Sequence, residues 1–324
     1  MRKFNFAVPL FLLIIFNLNT FQTFAGEQKK EIVKLENNTE TVPIVPIEKI
    51  VKVGLYIINI GKFDISTGSY TIDFYLTLKC AGKCPVIGYE FMNGRAASVD
   101  KIMDEPNEKQ YRIQANLCSP IDLRKFPFDE QKIIISLEDK LQTIDKIEYI
   151  PDLERIAIDT SVVITGWNMK KWKAETLTHE YKVYNEKYSQ LIFTIPISRI
   201  ALNSFLKTLL PIIFIIVVML SSFILAPDKL TTRIAMVSSA LVASVMFHVS
   251  LANQIPPVGY LTFTDKFMGL TYFVILTCFI INVTLMGLIE LKKTELVDKL
   301  NRKTKYTMFI SIPIIYVLFF VFTK

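Results

Sequence analysis

The sequence predicts an α+β fold, in which an N-terminal antiparallel β-sandwich is followed by a four-helix transmembrane bundle. Two observations lead to this class. The 324 residues are 51% hydrophobic, with a mean hydropathy of +0.37, which is high for a soluble protein. The apolar residues are also unevenly distributed, since long apolar stretches fill the C-terminal part and short alternating runs fill the part before it.

Residues 1–25 have the features of a secretory signal peptide. They combine a basic start at Arg2 and Lys3, an apolar run over Phe4–Phe16 and a small-residue exit. Residues 26–48 are polar and interrupted by proline, a composition typical of a flexible lead-in. We therefore expect the folded protein to begin after this segment.

Residues 49–200 show the alternation of a β-sandwich domain. In YTIDFYLTL, the side chains of Ile72, Phe74, Leu76 and Leu78 lie on one face of an extended strand. Similar short runs, separated by turn signals such as STGS, are VGLYIINI, QKIIISLE, SVVITGW and QLIFTIPIS. Many short strands without a convincing amphipathic helix favour an antiparallel sandwich.

Residues 201–324 form the predicted transmembrane domain. A membrane-spanning helix needs roughly 20 apolar residues. Four stretches are about this long, and they lie at about 203–227, 233–254, 266–289 and 306–323. The segment 290–305 between the last two is predicted to be a short cytoplasmic loop.

The distribution of basic residues orients these spans. The segment 290–305 is rich in lysine, and the loop after the first span carries Lys229 and Arg233. The loop after the second span carries only Lys266. Because basic loops face the cytoplasm, we expect a multi-pass protein of the cell inner (plasma) membrane with its N-terminal domain outside, in the periplasm.

Five motifs follow one another in the sequence: SPIDLRKFPFDEQ (119–131), GWNMKKW (166–172), IPISR (195–199), Pro211 in LLPII, and IPPVGYLTFTD (255–265). In this order they resemble the pentameric ligand-gated ion channels, the Cys-loop receptor superfamily, and especially its bacterial members. By this resemblance the first motif is the signature loop, the second the late Trp strand and the third the last strand of the outer domain. The proline belongs to the first span, and the last motif links the second and third spans.

The resemblance implies a homopentamer that passes small monovalent ions and needs no cofactor. It also implies that rearrangement of the outer domain reaches the pore through the 119–131 loop and the 255–265 linker. The residues expected to carry this coupling are Asp64, Phe126, Pro127, Phe128, Asp129, Arg199, Pro257, Tyr260 and Thr262.

The residues of FPFD suggest how this loop works. Beside a membrane surface, Phe126 and Phe128 can insert toward the linker. A partly desolvated Asp129 needs a cation, and Arg199, just before the first span, offers a guanidinium fork that matches a carboxylate. Asp64 would be a second carboxylate in the same cluster. The alternative is that Asp129 only caps a turn.

The cysteines depart from the family pattern. Cys118 lies one residue outside the first position expected for the signature disulfide, and Ile133 occupies the second, so that disulfide cannot form. Cys80 and Cys84 in CAGKC lie in an oxidising compartment, where a local disulfide is expected. A bridge from Cys118 to one of them remains open. We predict no metal site, because no histidine cluster lies nearby.

The ligand cannot be inherited by analogy, because the chain lacks the Trp–Pro–Asp segment that supplies one wall of the family's usual agonist site. HEYKVYNEKYSQ (179–190) is a Tyr-rich hairpin at the place of the agonist-capping loop. The candidate ligand residues are Trp167, Tyr181, Tyr184 and Tyr188. The tyrosines can cage a cation, but tyrosine is also common in strands. The agonist, a small molecule or a proton, stays open.

The second span is expected to line the pore. With Arg233 as its cytoplasmic start, the residues at helical spacing are Ala235, Ser239, Val242, Met246, Val249 or Ser250, and Asn253. Five such helices would form apolar rings of Val242 and Met246, which can gate by dewetting. The alternative is a packed helix that contains serine. His248 lies off this stripe, and we expect a neutral imidazole bonded to a neighbouring helix.

These features favour an ion channel, and the bacterial resemblance favours cations as the permeant ions. The alternative is a membrane-anchored extracytoplasmic sensor or binding protein without ion conduction. We predict no enzyme, since the sequence has no HExxH, GxSxG or phosphate-loop motif. The expected partners are membrane lipid, further copies of the chain, permeant inorganic ions and the agonist. Nucleic acid is not expected, since no basic patch with interleaved aromatics is present.

Overall fold

The computed structural model describes residues 49–323, so the predicted signal peptide (1–25) and lead-in (26–48) lie outside the described residues. In the described part, two β-sheets that share one core are followed by four long apolar helices. The predicted fold class, a β-sandwich followed by a four-helix bundle, is confirmed.

The strands of residues 49–323 are numbered here in chain order. They are β1 (Ile50–Ile60), β2 (Ser69–Cys80), β3 (Tyr89–Phe91), β4 (Gly94–Asp104), β5 (Glu108–Cys118), β6 (Glu130–Asp139), β7 (Glu148–Pro151), β8 (Ala157–Ile158), β9 (Trp167–Met169), β10 (Lys173–Tyr181) and β11 (Glu186–Arg199). One sheet has the order β4-β5-β2-β1-β7, with β8 also paired to β1. The other has the order β10-β11-β6-β3, with β9 paired to β11.

Alternation along the strands builds the core between the two sheets. In β11, Leu191, Phe193, Ile195 and Ile197 are buried, and the residues between them are only partly buried. They belong to one apolar cluster with side chains of the first sheet, such as Phe74. Burying a side chain of this size contributes roughly 1.5–3 kcal/mol. The alternation of apolar residues along β11 therefore correctly predicts which face of the strand packs in the core.

The run SVVITGW (161–167) is predicted as a strand, and that prediction is wrong. Only Trp167 at its end enters a strand, the short β9. Val162 and Ile164 are buried in the sandwich core, so the alternation is real but belongs to a loop packed on the sheets. Gly166, at a φ of 86°, turns the chain just before β9 in a conformation that favours glycine.

Four helices that are long and apolar enough to cross a membrane follow the sandwich. They are α1 (Ala201–Ile224), α2 (Leu230–Ala252), α3 (Phe263–Glu290) and α4 (Thr294–Thr323). α1 contains a π-helical turn over Phe205–Leu209, which ends just before Pro211. Because proline lacks the N–H that would continue regular helical bonding, this is a place where irregular backbone is expected.

The predicted cytoplasmic loop 290–305 is too long. α4 begins at Thr294, so only three residues, 291–293, separate it from α3. The first turns of α4 contain many charged residues, so hydropathy alone places the start of the helix too late. The buried Val297 on its inner face nevertheless packs in an apolar cluster with Leu230 and Leu285, and this packing stabilises the polar first turns of α4.

Cys80 and Cys84 form a disulfide, with Cα atoms 5.3 Å apart. The two cysteine N–H groups donate to the carbonyls of Asn107 and Pro106, so the small ring is attached to the turn between β4 and β5. Cys118 is an exposed free thiol and Cys278 is a buried one.

Thiol accessibility tests this arrangement. We expect a maleimide to label Cys118 alone in the folded, unreduced protein, because Cys278 is buried and the other two cysteines are oxidised. Denaturation without reductant should expose Cys278, and reduction should then add Cys80 and Cys84. Peptide mass spectrometry locates each label, and labelling of Cys80 or Cys84 before reduction would contradict the bridge.

Candidate functional site

The loop of residues 119–131, here called the junction loop, lies against the linker of residues 253–262 between α2 and α3. The N–H of Leu123 donates to the hydroxyl of Tyr260 at 2.9 Å. The guanidinium of Arg124 lies over the same tyrosine ring, 5.0 Å from its centroid. The outer domain therefore holds Tyr260 at both its hydroxyl and its ring.

The first turn of α3 is bonded to the same loop. The N–H of Phe263 donates to the carbonyl of Arg124 at 2.8 Å, and the hydroxyl of Thr264 donates to the carbonyl of Phe126 at 2.9 Å. The first N–H groups of a helix have no partner within the helix, and the junction loop supplies acceptors for two of them, those of Phe263 and Thr264. A displacement of the loop must therefore move the start of α3 or break these bonds.

The two phenylalanines of FPFD face the helical domain. Phe126 is buried, and Phe128 packs edge to face on Phe263, with ring centroids 5.8 Å apart. Phe128 also packs against the apolar cluster of the four helices. Pro127 lies between them and follows a cis peptide bond. The loop is thus attached by apolar contacts as well as by hydrogen bonds.

Asp129 is the charged centre of the junction loop. Its side chain is only 1% exposed, and one carboxylate oxygen accepts from Nε of Arg199 at 2.5 Å. The other oxygen accepts from the side-chain amide of Gln131 at 2.7 Å. A carboxylate this far from water needs a charged partner. The alternative that Asp129 only caps a turn does not describe this geometry.

Arg199 is held on both sides by aromatic rings. Its Cζ atom lies 5.1 Å from the ring centroid of Phe126 and 4.7 Å from that of Trp167. Such stacking adds cation–π attraction and depends on the planar guanidinium, which lysine cannot supply. Because Arg199 ends β11 and α1 begins at Ala201, the stacked side chain fixes the passage from the sandwich into the first helix.

Asp64 does not pair with Arg199, contrary to the expectation of a second carboxylate in the cluster. Its oxygens accept from the N–H and the hydroxyl of Ser66 at 2.9 and 2.6 Å, and from the hydroxyl of Thr67 at 3.0 Å. The hydrogen bonds from Ser66, and then that from Thr67, lower the pKa of the Asp64 carboxyl. Aspartate followed by serine and threonine closes its own turn, and these local donors take its acceptor positions.

Trp167 does not belong with the Tyr-rich hairpin, so the predicted ligand set is wrong in combining them. The strand register pairs Trp167 with Arg199 and Tyr181 with Glu186, at opposite ends of β11. At about 3.3 Å per residue, the two ends of this strand are roughly 43 Å apart. Trp167 serves the domain junction, and the tyrosines lie at the far end of the outer domain.

At that far end, Glu138, His179, Tyr181 and Tyr188 form what is here called the tyrosine cluster. Glu138 is 1% exposed; one oxygen accepts from the Tyr181 hydroxyl at 2.9 Å, and the other lies 2.8 Å from Nδ1 of His179. The rings of Tyr181 and Tyr188 meet edge to face. Burial, and next the bond to Glu138, raise the pKa of Tyr181 to about 12. The side chain of Tyr184 is exposed in the hairpin turn, outside this cluster.

The residues predicted to line the pore are all exposed, five of them on one face of α2 and the sixth, Asn253, directly after its end. They are Ala235, Ser239, Val242, Met246, Val249 and Asn253. The opposite face is buried against the other helices through Val237, Ala240 and Ser244. Val242 is 63% and Met246 67% exposed. The chain's own helices therefore leave an apolar band of α2 uncovered.

Arg233, at the start of α2, points away from this exposed face. It is fully buried, donates from Nη1 to the side-chain oxygen of Asn301 at 2.9 Å and lies over the ring of Phe223. No acidic side chain of residues 49–323 forms an ion pair with it. Its charge therefore lies behind the exposed stripe rather than on it.

His248 lies beside the stripe and contacts α3, as expected for an imidazole bonded to a neighbouring helix. Nδ1 lies 2.9 Å from the Tyr272 hydroxyl, and Nε2 lies 3.2 Å from the Asp265 carboxylate. Asp265 also accepts from the N–H and the hydroxyl of Thr262, in a capping box that starts α3. Thr262 ends the linker, in which Pro257 is exposed. His248 is therefore one contact away from the linker.

Sequence reasoning missed Glu138 and Asp265. Glu138 follows the buried Leu137 in β6 and reads as an outward, solvated residue by alternation. Only the register that brings His179 and Gln190 over it shows that it is covered. Asp265 carried a usable signal, because the pattern Thr262-x-x-Asp265 before an apolar run is typical of a capping box.

The ion pair at the junction can be tested by stability. Removing one partner of a buried pair leaves an uncompensated charge, which costs roughly 3–5 kcal/mol. We therefore expect Asp129→Ala and Arg199→Ala each to lower the thermal unfolding midpoint of the purified protein clearly, and the double variant to be less affected than the sum of the two. Arg199→Lys should restore only part of the loss, because it cannot stack as a plane.

The matched control is the neighbouring pair Glu130–Lys170, whose side chains are 2.6 Å apart and exposed. Exposed pairs contribute about 0–1 kcal/mol, so Glu130→Ala and Lys170→Ala should change the midpoint little. Additive losses for Asp129 and Arg199, or losses no larger than those of the control pair, would show that the two residues are not coupled.

No family model matches the chain, but several curated proteins are similar to it. It is 27% identical over 183 residues to a proton-gated ion channel of Gloeobacter violaceus, which covers 56% of this chain and 50% of that protein. It is 26% identical over 149 residues to the human 5-hydroxytryptamine receptor 3B, covering 44% and 33%. It is 24% identical over 180 residues to pH-sensitive chloride channel 2 of Drosophila melanogaster, covering 52% and 33%.

The aligned regions span half or less of the length of these relatives. With four apolar helices, the chain is a multi-pass membrane protein whose N-terminal domain is extracellular. The two-sheet sandwich, the four helices and these similarities together make the chain a relative of the pentameric Cys-loop ligand-gated ion channels.

Proposed function

We propose that the chain is the subunit of a homopentameric ion channel of the cell inner (plasma) membrane, which opens when an agonist acts on its outer domain. The observation that carries the proposal is the exposed face of α2. Its apolar centre at Val242 and Met246 lies between small or polar residues toward its two ends, Ser239 and Asn253 among them. One chain cannot enclose a water path with a single helix face, so a closed ring of copies is required.

The contacts of the junction loop support a route from the outer domain to this helix. The sandwich holds Asp129 through Arg199, and the same loop is bonded to Tyr260 and to the start of α3. A few kcal/mol separate the states of a typical switching protein. A rearrangement of the sandwich that moves this loop is therefore sufficient to bias the position of α2 through the linker.

The tyrosine cluster is the best candidate for a small-molecule agonist. Two tyrosine rings and the carboxylate of Glu138 lie together, and aromatic rings beside a negative charge attract a cation. Glu138 already has neutral partners in Tyr181 and Gln190, so a ligand would act mainly by competing for or reinforcing these bonds. A small organic cation is the ligand class that this chemistry favours.

A proton is the second candidate agonist, and one observation favours it. The sequence has two histidines, and each contacts a carboxylate: His179 lies 2.8 Å from Glu138, and His248 lies 3.2 Å from Asp265. Proton uptake would convert each contact into an ion pair. Imidazole takes up a proton within the physiological range of pH, so acidification would strengthen contacts at both ends of the proposed route.

We expect small monovalent cations to be the permeant ions. Arg233 is turned into the bundle, and Thr231 and Thr232 are the exposed residues at the start of α2. No basic side chain then lies on the exposed stripe of α2 itself, so the stripe offers no positive ring that would select anions.

The experiment that tests the channel combines size and conduction. We expect mass photometry of the purified protein in detergent to show five copies, and planar bilayers to show agonist- or acid-activated current. In a KCl gradient the reversal potential should follow potassium; a value that follows chloride would refute the selectivity alone. A stable monomer or dimer, or the absence of current under every pH and ligand condition, would favour a sensor without conduction.

The apolar band of α2 gives a direct test of the pore. Rings of valine can close a pore by excluding water, and Val242→Thr adds a hydroxyl with little change in volume. We expect it to raise the resting current and to lower the stimulus needed for half-maximal activation. The control is Val283→Thr on the exposed face of α3, which should behave like the wild type. If both variants behave alike, Val242 does not line the gate.

The pH dependence separates the two agonist candidates. If protons are the agonist, current should rise as the pH falls through roughly 7 to 5, the range in which imidazole takes up a proton. His179→Gln or His248→Gln should then shift the activation midpoint to lower pH or abolish it, since glutamine keeps a hydrogen bond without the charge. The exposed Lys182→Gln is the control. Wild-type pH curves in both histidine variants would exclude these pairs as the sensor.

A further inference from the structure

A cleft of about 570 Å³, here called the junction cleft, lies between the sandwich and the start of the linker that follows α2. Its walls come from the β1–β2 turn (60–65), the loop 163–167, Arg199 and, from the helical domain, Gln254. A cleft of this size falls within the roughly 300–1,000 Å³ range of small-molecule sites. No step of the coupling route described above makes use of it.

Arg199 brings unused hydrogen-bond donors to this cleft. Its Nε donates to Asp129. Neither Nη1 nor Nη2 donates a hydrogen bond to an acceptor within residues 49–323. The side chain remains 22% exposed and lines the cleft. A guanidinium presents five N–H groups in a fixed fork, so four of them are free for an acceptor from outside the chain.

Two further charged side chains line the cleft beside Arg199. Lys62 adds a second cation, and its Nζ forms no ion pair within the part of the chain that the structure describes. Asp64 is the acid among the lining residues, but its oxygens are occupied by Ser66 and Thr67. The charge of Arg199 is balanced by Asp129, and Asp64 lies near Lys62, but both carboxylates already accept hydrogen bonds. The cleft therefore offers unused donors on its cations and no free internal acceptor for them.

One wall of the cleft is apolar. Phe63 and Trp167 meet edge to face with centroids 5.8 Å apart, and Ile164 and Val163 also line the cleft. The Trp167 ring also stacks on the guanidinium of Arg199. An apolar body would pack against this wall with its charged end directed at the guanidinium.

We propose that the junction cleft binds an amphiphilic oxyanion, a carboxylate or phosphate that carries a short apolar group. The oxyanion accepts from Nη1 and Nη2 of Arg199, with Lys62 adding attraction, and the apolar group contacts Phe63 and Trp167. Two sources share this chemistry: a soluble organic anion and the headgroup of an anionic phospholipid. Because the cleft contains Gln254 of the helical domain as well as residues of the sandwich, its occupant touches both domains at the point where they join.

Tryptophan fluorescence tests the site without any current measurement, so that the result does not depend on ion conduction. The sequence contains two tryptophans, and Trp172 packs in the sandwich against Phe193. In a Trp172→Phe background, Trp167 is the one remaining tryptophan reporter and lines the cleft. The full chain is reconstituted in phosphatidylcholine nanodiscs and titrated with sodium hexanoate, and with hexanamide as the uncharged counterpart.

We expect hexanoate to change the Trp167 emission in a saturable way and hexanamide to leave it unchanged. Lys62→Glu, which leaves the Arg199–Asp129 pair intact, should weaken hexanoate binding by at least about fivefold, because it places a like charge beside the ligand. Lys83→Glu, an equal charge change on the exposed Cys80–Cys84 turn, should have no effect. Arg199→Lys, where it folds, should weaken binding further by removing the fork.

Nanodiscs that contain phosphatidylglycerol distinguish the two sources. Loss of the hexanoate response in these discs would assign the cleft to a phospholipid headgroup, and an unchanged response would assign it to a soluble anion. Either result supports an oxyanion site. The absence of a saturable response, an equal response to hexanamide, or equal affinities in wild type and Lys62→Glu would overturn the proposal.

Discussion

The structure depends on one buried carboxylate at the boundary between its two domains. Asp129 is 1% exposed, and a charge so far from water is tolerated only with a partner. That partner, Arg199, is the last residue of β11, two residues before α1 begins. The need to compensate one charge therefore fixes three things together: the junction loop, the end of the sandwich and the start of the first membrane helix.

The strength of an ion pair depends on its exposure to water, as a comparison of Asp129–Arg199 with a neighbouring pair shows. Glu130 and Lys170 lie next to it in the fold and are 2.6 Å apart, yet both are exposed and their attraction is largely screened by water. Arg199 is instead enclosed by Phe126 and Trp167. The aromatic rings exclude water and hold the guanidinium in one plane, so the attraction between Arg199 and Asp129 is stronger and more directional than that of the exposed pair.

Features that follow from a local pattern were predictable from the sequence, and features that depend on competition between donors were not. Hydropathy locates the four helices and alternation locates the long strands β1, β2, β6 and β11, and the expected burial of the Asp129 charge leads to Arg199. The same reasoning failed for Asp64, because Ser66 and Thr67 are nearer donors than any arginine. It also failed for the start of α4, where packing of Val297 outweighs the polar composition.

Sequence patterns could not predict the burial of Glu138, because that burial results from the strand register. The same register connects the tyrosine cluster to the junction loop. β6 and β11 pair continuously from Gln190 opposite Glu138 to Ser198 opposite Glu130. One end of this ribbon carries Glu138 with histidine and tyrosine partners, and the other end leads to Asp129 and its arginine. At about 3.3 Å per residue the two carboxylates are roughly 30 Å apart.

The partners at the two ends of the ribbon differ in a way that suits transmission. Arginine stays protonated at any physiological pH, so the partner of Asp129 keeps its charge throughout that range. The Glu138 end has histidine and tyrosine as partners, whose bonds a proton or a small cation can change. Inward-facing residues of both strands, such as Ile135 and Phe193, are fully or almost fully buried. A close-packed core resists local deformation, so in the proposed channel a displacement at the Glu138 end would be passed along the ribbon to the Asp129 end.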